Sequence, residues 1–354
     1  MFIVDSHLDL AYNFFEFDRD LRLPLADLRQ REEGGTVPDR NGTATVTLPE
    51  LRRGRIGLVF GTLFVGPYHK NRMTERVIYR NKRQAHNQAM RQLDYYHRLA
   101  DEVPYVRLVT DSKSLDEVIT SQTSDNPLLG IVPLMEGADP IREPEEAEGW
   151  YEHGLRLVGL AWSNTRYAGG NWAGSGIGLS KEGQRLLDVM AGLGMILDHT
   201  HLSERSSLEA LDRFEGMSVA THSNARKMVP DVQERHLGDI QIRRIAERGG
   251  VMGIVLANGF LKPGGRTLKK VDVTVADVAA HVDTICQLVG SAEHVGIGSD
   301  FDGGFGRESI PAEIDSAADL HLIGDALKAR GYSDTDVAGV MGGNWVNLLR
   351  RVWK

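Results

Sequence analysis

The chain opens with Val4-Asp5-Ser6-His7-Leu8-Asp9, a short apolar run that delivers an imidazole and a carboxylate two residues apart. Side chains two apart on a strand share a face, so His7 and Asp9 emerge together at the strand's C-terminal end. That pair is half of a metal site. Alone it carries little weight, because a surface histidine beside a helix-capping aspartate explains a His-x-Asp triplet more simply. Four further places supply what is missing. Ile131-Val132-Pro133-Leu134-Met135 runs into Glu136-Gly137, and later apolar runs end in Asp198-His199-Thr200-His201, Thr221-His222-Ser223-Asn224 and Ser299-Asp300-Phe301-Asp302-Gly303. Buried carboxylates and imidazoles are costly unless paired or metal-bound. A whole set of strand ends delivering them points to a metal centre. Nitrogen and oxygen donors without sulfur suit zinc, manganese, iron or cobalt. The set exceeds the three protein ligands of a simple catalytic zinc. It suits two metals about 3.5–4 Å apart with a shared carboxylate. His199 and His201 have the same parity, so spacing alone leaves the choice between them open.

The elements that must hold these residues are short β-type runs alternating with longer helical patterns. The strands are expected at Phe2–Asp5, Arg55–Val65, Leu129–Met135, Leu155–Trp162, Gly194–Asp198, Met217–Thr221, Gly250–Leu256 and His294–Ser299. Helices are expected near Glu75–Asp101, Glu145–His153, Lys181–Leu193, Arg205–Phe214, Asp239–Arg248, Val275–Val289, Glu313–Arg330 and Asp334–Val352, with Ser180 and Ser333 as N-caps. Serial βα units with apolar strands predict a parallel (β/α)8 TIM-type barrel, its site at the strands' C-terminal ends. A doubly wound sheet is the alternative, but no Gly-rich phosphate fingerprint follows any strand. Tyr105–Thr110 reads as an extra strand-like element between barrel strands 2 and 3. Arg31–Thr47 and the Gly-rich Tyr167–Gly178 read as long loops, the kind that form substrate lids. The expectation is one barrel domain over residues 1–354 with inserted loops.

Bulk properties narrow the partners. With 354 residues, 41% hydrophobic and 25% charged, the composition is that of an ordinary soluble protein. The net charge of −8 and the lack of a long basic run disfavour nucleic acid. Cys286 is the only cysteine, which excludes an intrachain disulfide and thiolate zinc. No leader pattern and no long apolar segment stand out, so a cytoplasmic protein without membrane contact is expected.

In their order and spacing, these fragments resemble the renal (membrane) dipeptidase family of binuclear metallopeptidases, which are (β/α)8 barrels related to amidohydrolases. The family's D-G-H-x-D reads here as Asp5-Ser6-His7-Leu8-Asp9, its bridging E-G as Glu136-Gly137, and its D-x-[SA]-H as Asp198-His199-Thr200-His201. Its S-H-S reads as Thr221-His222-Ser223, and G-x-G-x-D-F-D-G as Gly296 to Gly303; Thr47-Leu48-Pro49-Glu50-Leu51 matches a further family habit. The resemblance implies a dipeptidase using two divalent metals, zinc above others, and a bridging hydroxide. His7 and Asp9 would bind one metal, His201 and His222 the other, and Glu136 both. Asp300 would carry the proton from the attacking water to the leaving amine. Arg235, in Glu234-Arg235-His236-Leu237, would hold the substrate carboxylate with its planar fork of donors. His199 would pack or support, and the family also suggests a homodimer.

One position departs from the family. Its fourth strand usually ends in L-T-H, with a histidine that contacts the tetrahedral intermediate, whereas this chain has Leu160-Ala161-Trp162-Ser163-Asn164. An indole donates one hydrogen bond and cannot become a cation. Oxyanion stabilisation would then fall to Asn164, Arg166 or the metals, and Trp162 and Asn164 become candidate substrate-binding residues. Trp162 also motivates a second function, hydrolysis of N-acyl amino acids, other small amides or lactones. A phosphoesterase is disfavoured because no Lys/Arg cluster accompanies the ligands. A non-catalytic metal-binding barrel is the alternative of another class.

Overall fold

A computed structural model describes residues 1–69, 75–173 and 176–353. Its strands are β1 (Ile3–Leu8), β2 (Ile56–Phe64), β3 (Gly66–Pro67), β4 (Ile78–Tyr79), β5 (Val106–Leu108), β6 (Leu129–Glu136), β7 (Leu157–Gly159), β8 (Ile196–Asp198), β9 (Ser218–Val219), β10 (Met252–Ile254) and β11 (Val295–Ile297). The main sheet is parallel and runs β10-β11-β1-β2-β6-β7-β8-β9. A parallel bridge between Ala220 and Met252, with Gly253 N donating to Ala220 O at 2.8 Å, joins its two ends. The result is the expected (β/α)8 barrel. β5 adds to the outside of β6, as the extra element between barrel strands 2 and 3. Every residue of β1, β2 and β6 is buried, because the barrel core lies on one face and helices on the other.

The inside of the barrel explains how the first strand presents its polar residues. Val4, Leu58, Phe60, Val132, Leu134, Leu157, Ile196 and Val219 form an apolar layer with Trp345 from the C-terminal helix Asn344–Val352. Above it lies a polar layer. Ser6 Oγ donates to Thr221 O at 2.6 Å and also lies 2.9 Å from Ile297 O. Gly253 and Gly298 make room for it, since a Cβ at either would meet Ser6 Oγ at 2.6 and 2.8 Å. Pairing of β1 with β2 slips register between Asp5 and Leu8. His7, the next residue, also reaches the interior, 3.4 Å from Thr62 Oγ1. Strict alternation does not predict two adjacent inward side chains.

Most helices match their expected spans, and Lys181–Leu193 and Val275–Val289 match at both ends, but the helix expected over Glu313–Arg330 covers only His321–Ala329, because Ser316 caps a separate short turn at Ala317–Leu320. Ser180 and Ser333 accept from Gly183 N and Asp336 N, as N-caps should. Other spans need correction. The long helix expected from Glu75 begins at Lys82, because Ile78–Tyr79 pairs with Gly66–Pro67. The expected loop Arg31–Thr47 contains the helix Val37–Asn41. Asp334–Val352 is broken by a wide turn over Gly339–Gly343. Gly342 there lies against β1, a Cβ on it meeting Val4 N at 3.0 Å. Part of the loop Tyr167–Gly178, including Gly174, lies outside the described residues.

Candidate metal centre

The strand ends bring the six acid and imidazole candidates together. His7 is the penultimate residue of β1 with Asp9 just beyond, Glu136 ends β6, and His201, His222 and Asp300 follow β8, β9 and β11. All six are buried. Glu136 sits at their centre. Its Oε1 is 2.9 Å from His201 Nε2 and 3.7 Å from His222 Nε2, while Oε2 is 3.7 Å from His7 Nε2. His7 Nε2 lies 3.8 Å from Asp300 Oδ1, and the Nε2 atoms of His201 and His222 are 3.0 Å apart. The donor atoms of His7, Asp9 and Asp300 likewise fall within 4.8 Å of one another. His201 and Asp300 hold left-handed backbone conformations, φ 67° and 59°. Such strain in non-glycine residues persists only where surrounding structure imposes it, and it concentrates at functional sites.

Supporting hydrogen bonds aim these side chains. Asp198 Oδ1 accepts from the backbone N–H groups of Thr200 and Thr221, both at 2.9 Å, and its Oδ2 accepts from Thr221 Oγ1 at 2.6 Å. The same Oγ1 lies 3.0 Å from His222 Nδ1. Asp5 accepts from Ser299 N (2.8 Å) and Ser299 Oγ (2.5 Å), so the residue before Asp300 is tied to β1. Asp302 accepts from Thr45 and Val46 and lies 3.4 Å from Arg19 Nη1, fixing the loop after β11. Asp5, Asp198, Thr221 and Asp302 all fall within motifs visible in the sequence, but their partners do not show there, since most lie far away in the chain.

The electrostatics suit a cation. Burial, with Arg235 nearby, lowers His7 to about 3. His201 and His222 are also lowered by burial and by neighbouring cationic or imidazole groups, so all three imidazoles are neutral, the form that binds metal. Burial and the charge of Asp302 raise Asp9 to about 7. Glu136 and Asp300 are raised by burial first and then by Asp9. Crowded buried carboxylates resist ionising together unless positive charge is added among them. Asp9 Oδ1 is buried with no hydrogen-bond partner among the described residues, which leaves an acceptor of this group unused.

The remaining candidates lie around the centre. Arg235 is buried in the turn Pro230–Arg235, its guanidinium carbon 4.7 Å from the Phe260 ring centroid. Nη1 donates to His222 O at 3.0 Å, whereas Nε and Nη2 have no partner. Trp162 is half-buried, its ring 6.2 Å from that of His201. Asn164 is exposed and accepts from Gly170 N at 3.0 Å, which anchors the following loop. Arg166 is engaged with the carbonyls of Asp139 and Ile141. His199 faces the helix Glu204–Arg213, with Nδ1 2.9 Å from Ser207 Oγ, so it packs outside the centre. Trp172, exposed in the turn Asn171–Ala173, places its ring 6.1 Å from His201. Its position within a Gly-rich loop gave no periodic signal.

Comparison with known proteins identifies the family. A family model described as membrane dipeptidase (peptidase family M19) matches residues 1–354. An uncharacterised Klebsiella pneumoniae protein from the pqqA 5′ region is 31% identical over 65% of this chain and 84% of its own. Dipeptidase tcpJ of Claviceps purpurea is 27% identical over 89% of this chain and 71% of its own. A Rhodobacter sphaeroides metallopeptidase, solved with a phosphinate mimic of L-Ala-D-Ala, superposes with a TM-score of 0.80 at 24% identity, covering 100% and 99% of the two chains. The last likeness shows the shared fold.

The chain belongs to the membrane dipeptidase family, peptidase family M19, and is a metal-dependent hydrolase.

Proposed function

We propose that this enzyme hydrolyses the peptide bond of dipeptides at a centre built by His7, Asp9, Glu136, His201 and His222. The observation that carries this reading is the convergence of those buried donors with Asp300 and with two unpartnered N–H-bearing nitrogens of Arg235. Neutral imidazoles, crowded carboxylates and the unused Asp9 Oδ1 fit divalent metals. His7 and Asp9 would hold one metal, His201 and His222 a second, and Glu136, whose two oxygens face different imidazoles, would hold both. When bound, divalent metals, zinc in this reading, polarise a carbonyl and acidify water.

The side chains then divide the work. Arg235 offers Nε and Nη2 to the substrate's C-terminal carboxylate while Nη1 stays on His222 O. Asp300 takes a proton from the attacking water as the C–O bond forms and then delivers it to the amine nitrogen as the C–N bond breaks, leaving an acid and a free amine. Its Oδ1, 3.8 Å from His7 Nε2, supports this role. Trp162 and Asn164 border the substrate space, Trp162 through its ring and Asn164 by holding the loop at Gly170. Hydrolysis of N-acyl amino acids is the second reading, favoured by the indole of Trp162 near His201. A panel of dipeptides and N-acyl amino acids on the metal-loaded enzyme decides between the two, and a complete lack of dipeptide cleavage rejects the first. A barrel that only bound metal would be indifferent to Asp300→Asn.

The whole chain, residues 1–354, works in this reading as one barrel unit, a homodimer in the cytoplasm. Two facts bear on the location. Cys286 is buried and free, and no helix among the described residues is long and apolar enough to cross a membrane. Cell fractionation and sedimentation of the purified chain test location and assembly.

A further inference from the structure

Trp162 and Trp172 come from separate segments yet meet over one metal-centre candidate. Trp162 follows β7, and Trp172 lies in the turn Asn171–Ala173. Their ring centroids are 6.3 Å apart, and they stand 6.2 and 6.1 Å from the His201 ring. Phe64 backs Trp162 edge-on at 5.3 Å, so that indole has a fixed apolar support. The Trp172 turn is held from both sides. Asn171 N donates to His201 O at 2.8 Å, and Asn171 Nδ2 donates to Glu234 O, beside Arg235, at 3.1 Å. Trp172 therefore sits on a bracket that spans the histidine and the carboxylate anchor. Nevertheless it is 49% exposed, and a large apolar ring gains free energy when such surface is covered.

We propose that Trp162 and Trp172 form an aromatic wall that selects a flat, uncharged apolar group beside the scissile bond. This rests on the dipeptidase reading above and specifies its substrate class. A flat apolar ring matches the indole faces, which offer carbon surface backed by Phe64. The ring belongs either to an amino-acid side chain or to an N-acyl group, and one chemistry serves both. Stacking on one indole is expected to favour the ring-bearing substrate by about tenfold.

The test uses the full-length, metal-loaded enzyme with Ala-Ala, Phe-Ala, Ala-Phe and N-benzoylalanine, in wild type, Trp172→Ala and Trp172→Phe. Calorimetry with phosphinate analogues of Ala-Ala and Phe-Ala gives a readout independent of turnover. The expected result is a kcat/KM about tenfold higher for at least one ring-bearing substrate than for Ala-Ala. That preference should be lost mainly through KM in Trp172→Ala and largely restored in Trp172→Phe. Comparing Phe-Ala, Ala-Phe and N-benzoylalanine shows which side carries the ring. Equal kcat/KM and equal affinity for methyl and ring partners overturn the proposal, as does a preference undiminished in Trp172→Ala. If no dipeptide is cleaved, the dipeptidase reading fails, and the phosphinate affinities still decide whether the wall binds rings.

Discussion

Thr221 Oγ1 lies 3.0 Å from His222 Nδ1 and gives its own proton to Asp198 Oδ2, 2.6 Å away. A hydroxyl has one proton, so toward the imidazole it acts as an acceptor. His222 therefore carries its proton on Nδ1, and the Nε2 lone pair faces Glu136 and His201. The centre has its tautomer set from beneath by a chain of buried hydrogen bonds. Outer partners of this kind orient metal-binding histidines and raise their basicity.

Replacing Thr221 tests that relationship. Thr221→Val keeps the shape and removes the acceptor, so metal affinity should fall about 10- to 100-fold. Thr221→Ser should retain most of it. Competition with a chromophoric chelator measures both, and equal affinity in Thr221→Val and wild type would refute the tautomer argument.

Metal uptake should depend on pH with a definite sign. Asp9 titrates near 7 in the metal-free protein, while His7 stays neutral down to about 3. Below pH 7 an entering metal must displace the Asp9 proton. Glu136, raised by burial and by Asp9, adds to that demand, so apparent affinity should fall about tenfold per pH unit for each proton displaced. Calorimetry in buffers of different ionisation enthalpy counts the released protons. An affinity constant from pH 5 to 8 would contradict this.

Asp300→Asn keeps the size of the side chain and removes the base. A drop in kcat of about 10²- to 10⁴-fold is expected with metal content retained. Loss of activity accompanied by loss of metal would instead mark Asp300 as a ligand.

Arg235 should confer dependence on a free C-terminal carboxylate. Hydrogen bonds between charged groups contribute about 1.5–3 kcal/mol, so a dipeptide should be preferred over its C-terminal amide by about 10- to 100-fold. Arg235→Met should abolish that preference, and Arg235→Lys should keep part of it. Equal discrimination in wild type and Arg235→Met, measured as kcat/KM ratios, would place the carboxylate elsewhere.

Much of this was legible from residue order alone. The barrel was, because apolar runs such as Ile131–Met135 are too continuously buried for anything but a parallel sheet. Five of the six acid and imidazole candidates were legible because each sits at the end of such a run, while His201 was distinguished from His199 only by the family resemblance. Caps at Ser180 and Ser333 were local events and came through intact. What escaped depends on contacts distant in sequence. The register slip of β1 and the room left by Gly253 and Gly298 for Ser6 need neighbouring strands to be in place. Lys82 starts its helix late because Ile78–Tyr79 pairs with Gly66–Pro67. Trp172 reaches His201 only after its loop folds back through Gly170 and Leu202. No periodicity encodes such a return.

The central claim is that Glu136 joins two metals held by His7 with Asp9 and by His201 with His222. Elemental analysis of the metal-to-protein ratio, in wild type and Glu136→Ala after loading and desalting, tests it most directly. The account predicts about two divalent metals per wild-type chain and fewer than about one in the variant. A wild-type ratio that stays at or below about one, or a variant that keeps the full complement, would contradict it.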